Sequence, residues 1–72
     1  MTGATSAARY EIRIRGALSD TLRGAFPGLD ARTDHRDTVL FGQIADQAAL
    51  YGVLSTIEAL GLELVEVRRA AD

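Results

Sequence analysis

The sequence contains no cysteine and a single histidine, His35. Without cysteine the chain cannot form disulfides, thiolate nucleophiles or cysteine-based metal sites. A single histidine also excludes a multi-histidine metal centre within one chain. Gly42 stands alone, far from the glycine spacing of a phosphate-binding or dinucleotide-binding loop. We therefore expect neither a metal nor a cofactor.

Lysine is absent as well, so all eight basic residues are arginine, against ten acidic residues and a formal net charge of −2. This balance provides no general attraction to phosphate backbones or anionic membranes. No apolar run approaches the length of a membrane span, and the first nine residues lack the apolar core of a signal peptide. We expect a cytoplasmic protein that binds neither nucleic acid nor membrane.

Seventy-two residues allow one small domain with a modest core, which a partner would help to stabilise. The small and polar residues at the start predict a disordered tail over 1–8. We place a single domain over residues 9–69 and a short tail over 70–72.

Alternation of apolar and polar residues predicts four strands, over residues 9–15, 29–34, 38–44 and 62–69. In the last strand the apolar phase changes between Leu64 and Val65, which a bulge or two partly buried faces would explain. The second and third strands form a hairpin around the turn "DHRD". In the third strand Leu40 and Ile44 face the core, although the opposite phase stays open because both faces are apolar.

Helical spacing predicts two helices. The first, about two turns long, starts near Ser19 or Asp20 and stops at Pro27-Gly28. The second starts after the N-cap Asp46 and ends at Gly61.

The order β-α-β-β-α-β with right-handed crossovers predicts an α+β, ferredoxin-like sandwich. Its four-stranded antiparallel sheet has the order 4-1-3-2 and carries both helices on one face. The predicted core consists of Ile12, Ile14, Leu22, Leu40, Ile44, Leu50, Leu54 and Ile57.

The segments "YEIRIRG", "AFPGLDA", "TVLFGQIADQAALYGVL" and "LGLELVEVRR" cover most of the chain. Together they resemble short, uncharacterised actinobacterial proteins. That resemblance implies a stand-alone domain and supplies no catalytic residues. At the level of the fold, the chain is also similar to ACT domains, small dimeric monooxygenases and RNA-recognition motifs, which is an analogy only.

The sheet face opposite the helices is the predicted interaction surface, because nothing else in the chain covers it. We expect a C2 homodimer that forms through this face. The dimer would act as a non-catalytic interaction or regulatory module. Pairing through an edge strand, Leu29–Asp34 or Leu62–Arg69, is the competing arrangement. The candidate interface residues are Glu11, Arg13, Arg15, Val39, Phe41, Gln43, Val65 and Val67. Of the two residues Val65 and Val67, we expect one to point outward.

The sequence leaves three other functions open. An ACT-like domain would bind a small metabolite near the loops Gly16–Ser19 and Ile44–Asp46. A small cofactor-free enzyme, monooxygenase-like or isomerase-like, would need a cavity between sheet and helices. RNA binding would have Phe41 as its one plausible stacking platform, because Tyr10 should face the core.

Two polar groups were interpreted as structural. His35 and its charged neighbours lie in an exposed turn, which cannot readily exclude water. Tyr51, Ser55 and Glu58 share one side of the second helix, where a solvated flank is the simpler interpretation.

Overall fold

A computed structural model describes residues 7–70 of the chain. The elements in chain order are β1 (Ala8–Ile14), α1 (Asp20–Arg23), β2 (Asp30–Asp34), β3 (Asp37–Ile44), α2 (Gln47–Ala59) and β4 (Leu64–Arg69). The four strands form one open antiparallel sheet in the order β2-β3-β1-β4, which counted from the β4 edge is 4-1-3-2. The chain is thus an α+β protein with a four-stranded antiparallel sheet and two helices.

The sheet extends slightly beyond the predicted domain bounds. Ala8, assigned to the first tail, is part of β1 and pairs with Ile44. At the other end the Ala70 N–H donates to the Arg9 carbonyl over 2.8 Å. The rest of the predicted tails, residues 1–6 and 71–72, lies outside the described residues.

One cluster of apolar side chains forms the core, between the sheet and the two helices. Of the eight predicted core residues, five are buried and three are half-buried against them, so that prediction is confirmed. Leu18 and Phe26 are additional buried members. Because Leu22 of α1 and Ile57 of α2 join the same cluster, both helices lie on one face of the sheet.

Helix α1 is shorter than predicted, with four residues and a single turn. The Ser19 hydroxyl caps it by accepting from the Leu22 N–H over 3.2 Å. Gly24 already stands at its C-cap, and the turns that follow carry Phe26 into the core at 3% exposure. Burial of a large aromatic side chain therefore outweighs continuation of a helix that glycine and proline weaken.

Helix α2 has the predicted ends. The Asp46 carboxylate accepts from the Ala49 N–H over 2.8 Å at the start. At the end Gly61, with φ of 74°, donates to the Glu58 carbonyl, and Leu62 donates to the Ile57 carbonyl. These two bonds are a Schellman motif, which satisfies carbonyls that the last turn leaves without a helical partner. No helix in residues 7–70 is long and apolar enough to cross a membrane.

Strand β3 has the predicted phase, with Leu40 and Ile44 in the core. Between them Gly42 adopts φ of 149°, and a Cβ placed there would lie 3.2 Å from a methyl carbon of Leu29. The glycine therefore allows the loop before β2 to cross close over β3. Its role is a backbone approach and not a phosphate site.

Candidate functional site

We call the sheet surface opposite the helices the open face. Two rows of side chains run across it from β4 to β2, as the strand register defines them. The first row is Glu66, Arg13, Val39 and Arg32. The second row is Arg68, Glu11, Phe41 and Asp30.

Charged side chains of these rows bind one another within the chain. Glu11 accepts from Arg68 over 2.6 Å and lies 3.8 Å from an Arg32 nitrogen. Arg13 binds both Asp34 and Asp37 at the hairpin turn. These six side chains form what we call the ion-pair cluster, with three arginines and three carboxylates.

The ion-pair cluster covers the apolar residues of the open face. Val39 stands between Arg13 and Arg32 and is only 2% exposed, although it faces away from the helices. Phe41 is half-buried, and the Arg32 guanidinium lies 5.2 Å from its ring centroid. Arginine stems and a cation–π contact therefore occupy the surface on which a partner was predicted to pack.

Charge pairing perturbs the cluster's ionisation. A hydrogen bond from Arg68 lowers the pKa of Glu11, and hydrogen bonds from Arg13 and then His35 lower the pKa of Asp34. The same bonds raise the pKa of Arg68 and of Arg13. All four groups are therefore held in their charged forms, so none of the four is a poised proton donor or acceptor.

The hairpin turn that contains His35 lies next to the ion-pair cluster. His35 adopts φ of 58° in the two-residue turn of the hairpin, and its Nδ1 lies 2.9 Å from an Asp34 carboxylate oxygen. Its side chain is 90% exposed. Within residues 7–70 no group of three or more His, Cys, Asp or Glu side chains could hold a metal ion.

The structure separates the eight candidate interface residues into groups. Glu11, Arg13, Val39, Phe41 and Gln43 lie on the open face. Arg15 follows the end of β1, and its Nε lies 3.1 Å from a Glu63 carboxylate oxygen of the same chain. Val67 pairs with Ile12 of the core and therefore faces the helix side, so of the two valines it is not the one that points outward on the open face.

A bulge in β4, one of the two explanations that the phase change allowed, accounts for the orientation of Val67. The register between β1 and β4 shifts between Arg13 and Ile14, so that Ile14 pairs with Leu64 and Arg13 with Glu66. Val65 is the extra residue in β4. Alternation counted from Leu64 without this bulge would place Val67 on the open face.

Exposed apolar residues gather instead around β4. All six residues of this edge strand are exposed. Among residues 7–70, the large apolar side chains that are exposed belong to β4 or to α2 and its C-cap. We call them the β4 flank: Tyr51, Leu60, Leu64, Val65 and Val67.

A groove runs between α2 and the start of β4, with a volume of about 540 Å³. Leu54, Ile57, Leu62 and Leu64 contribute apolar surface to it. Its polar groups come from the side of α2 that was interpreted as a solvated flank, since Tyr51, Ser55 and Glu58 all line it. The sequence indicated that Tyr51, Ser55 and Glu58 share one side of α2. It did not indicate that Leu62 and Leu64 would complete a concave surface beside them.

The first loop proposed for a metabolite is fastened by internal bonds. Thr38, 1% exposed, donates to the Gly16 carbonyl over 2.8 Å and accepts from the Leu18 N–H over 3.2 Å. The Gly16 N–H donates to Asp37 over 3.3 Å. These backbone groups are already used to anchor the loop to β3, so they are not presented to a ligand.

Comparison with protein families gives one match, to a domain of unknown function, DUF8691, over residues 9–68. The chain belongs to the DUF8691 family. The match spans all six helices and strands, and it names no organism, ligand or activity. Comparisons with curated proteins and with solved structures gave no match.

Proposed function

We propose that this DUF8691 chain is a small, cytoplasmic, non-catalytic interaction module of ferredoxin-like fold that works as a homodimer. The observation that carries the proposal is the β4 flank, because the large apolar side chains that are exposed within residues 7–70 belong to the edge strand β4 or to α2 and its C-cap. Monomeric proteins rarely leave such surface together, and a partner that covers it stabilises a small core.

The ion-pair cluster supports the choice of this edge over the open face. Its charges already bind one another, and Val39 is buried beneath them. A partner on the open face would have to remove water from several of these charges, which offsets the gain from covering Phe41. At the β4 flank only Arg68 of the ion-pair cluster is involved, and its side chain is 64% exposed, so fewer paired charges would lose water there.

Light scattering coupled to size exclusion tests the proposal at concentrations up to tens of micromolar. We expect a dimer for the wild type, a monomer for Val67→Asp, and a retained dimer for Phe41→Asp. A monomeric wild type over the whole range contradicts self-association. A dimer that Phe41→Asp breaks and Val67→Asp leaves intact would instead assign the interface to the open face.

The groove favours a second function, an ACT-like domain that binds a small ligand. Its volume falls within the usual range for small-molecule sites, about 300–1,000 Å³. Leucine side chains would contact an apolar body, while Glu58 and Ser55 at its polar side would bind a cationic or hydroxyl group.

Ligand-observed NMR with a set of small amphipathic amines and their neutral analogues tests this second function. Saturable binding of an amine that Glu58→Gln weakens and Glu66→Gln leaves unchanged supports it. Equal signals from amines and neutral analogues, or none, contradict it.

The third possibility, a cofactor-free enzyme, would use the same groove, where Tyr51, Ser55 and Glu58 are the available polar side chains. We expect no turnover from the isolated chain, because the sequence pattern contains neither a nucleophile–base pair nor a cofactor fingerprint. Conversion in a metabolite screen that is lost on Ser55→Ala or Glu58→Gln would contradict this expectation.

A further inference from the structure

The free edge of β4 is unlike the free edge of β2 in what it offers to another strand. Resting on the proposed self-association, we infer that two copies pair their β4 strands antiparallel about a two-fold axis at Val67, which joins two sheets into one of eight strands. Three features of β4 support this pairing: the backbone groups that point outward, the registers that a two-fold axis allows, and the charges that favour one of those registers.

The hydrogen-bond pattern with β1 identifies the outward groups. The Ala70 N–H bonds to the Arg9 carbonyl, so these two residues form a hydrogen-bonded pair of the ladder. Such pairs recur at every second position in antiparallel sheets. Glu66 and Arg68 therefore direct their N–H and C=O groups towards β1. Those of Val67 and its neighbour Arg69 point away from the sheet, towards the free edge.

Symmetry then limits the register. Residues directly opposite in an antiparallel pair have their side chains on the same sheet face, and a two-fold axis perpendicular to the sheet exchanges identical strands. One β4 residue must therefore lie on the axis, opposite its own copy. An axis at either terminal residue, Leu64 or Arg69, would pair only that one residue of β4 with β4 of the other copy, so the choices are the four interior residues Val65, Glu66, Val67 and Arg68.

Charge and backbone geometry separate these four registers. An axis at Glu66 places two carboxylates opposite each other, and an axis at Arg68 places two guanidinium groups opposite each other. An axis at Val65 puts the bulge at the centre of the new ladder, where pairing is disrupted. With the axis at Val67, Glu66 of each copy lies opposite Arg68 of the other, twice in the dimer.

The Val67 register also continues both faces of the sheet. On the open face the charges would alternate across the junction, from Glu11 and Arg68 of one copy to Glu66 and Arg13 of the second. On the helix side Val67 would meet its own copy, so the apolar row from Ile12 through Val67 runs on into the second sheet. Opposite charges and apolar pairs directly across strands both stabilise pairing.

The absence of cysteine from the chain makes the register measurable by disulfide formation. In the proposed dimer the Cα atoms at position 67 lie about 5.5 Å apart, as in a hydrogen-bonded pair, which is within the range a disulfide spans. We expect Val67→Cys to link rapidly under mild oxidation. Val65→Cys should link far more slowly, since its two copies would lie roughly 14 Å apart along the ladder.

Two controls make this cross-linking specific. Thr33→Cys on the β2 edge gives the rate of chance collisions. A mixture of Glu66→Cys and Arg68→Cys should link to each other faster than either links to itself. If Val67→Cys links no faster than Thr33→Cys while the wild type is dimeric, the strand pairing is wrong and self-association stands. If the wild type is monomeric, the proposed function itself fails.

Charge exchange supplies an independent readout by light scattering or sedimentation. Glu66→Arg and Arg68→Glu should each weaken association by about tenfold, because each creates two like-charge pairs. An equimolar mixture of the two single variants should recover it, because each chain then keeps the internal change that it has in its own homodimer while the pairs across the junction become opposite in charge. A mixture that associates as weakly as the single variants overturns the Val67 register. Circular dichroism checks that each variant is folded.

Discussion

The two edges of the sheet are built differently, although both strands are short and neither is covered by another strand. Strand β2 carries Asp30, Arg32 and Asp34 along its outward side, and two of these bind side chains of β1. Strand β4 carries three exposed apolar residues. Charges along an edge discourage another strand from pairing with it. On the proposed association β4 is the edge that pairs, because it adds three exposed apolar residues to its charges Glu66, Arg68 and Arg69, whereas β2 carries charges without exposed large apolar residues.

The first prediction compares the same truncation in the central strand β3 and in the edge strand β4. Leu40→Ala removes a side chain that is 1% exposed, so it should cost about 3 kcal/mol of unfolding free energy. Leu64→Ala removes one that is 42% exposed and should cost under about 1 kcal/mol at concentrations where the chain is monomeric. Urea unfolding measures both, and equal costs would show that the β4 side is not open.

The second prediction concerns the anchoring of the first loop to β3. Thr38→Val leaves the Gly16 carbonyl and the Leu18 N–H without their partner in a buried position. We expect a loss of about 2 kcal/mol in unfolding free energy, with little change in association at β4. Thr56→Val is a matched control, because the hydroxyl of Thr56 donates to the Gly52 carbonyl at an exposed position outside this network. Similar losses for both would contradict the anchoring role.

The third prediction uses pH to weaken the ion-pair cluster selectively. Glu11 and Asp34 have pKa values lowered below 4.5 and 3.8. Their stabilisation is therefore complete above those values and is lost as pH falls from about 4.5 through the lower folded pKa values. The melting temperature should fall over this window, and the Asp34→Asn variant should show a shallower decrease.

Added salt provides the control for this pH effect. It should reduce the contribution of these exposed pairs to the melting temperature at neutral pH. A pH profile identical in the wild type and Asp34→Asn would show that this carboxylate is not stabilised by Arg13.

Much of the fold could be predicted from the sequence, because local signals agree with one another there. Asp46 and Gly61 mark the ends of α2, and the alternation in β1 separates core from open face. The length of α1 could not be predicted in the same way. Its end depends on where Phe26 reaches the core, and that is a tertiary contact.

The candidate site was harder to predict, for two physical reasons. A bulge shifts the parity of a strand, so a phase change at Leu64 indicated an irregularity without telling which valine faces outward. Long arginine side chains can reach several partners, and alternation alone does not show that Arg32 covers Phe41 or that Arg13 reaches the turn. The apolar groove needed the path of the chain from α2 into β4.

Amide hydrogen exchange at residue resolution, at low and high protein concentration, tests the difference between the edges most directly. The account predicts that protection at Val67 and Arg69 rises with concentration, because their N–H groups point to the free edge. Glu66 and Arg68, which bond to β1, should change less, and the amides of β2 should not change. Uniform protection at all concentrations, or a concentration-dependent rise confined to β2, would contradict the claim that β4 is the associating edge.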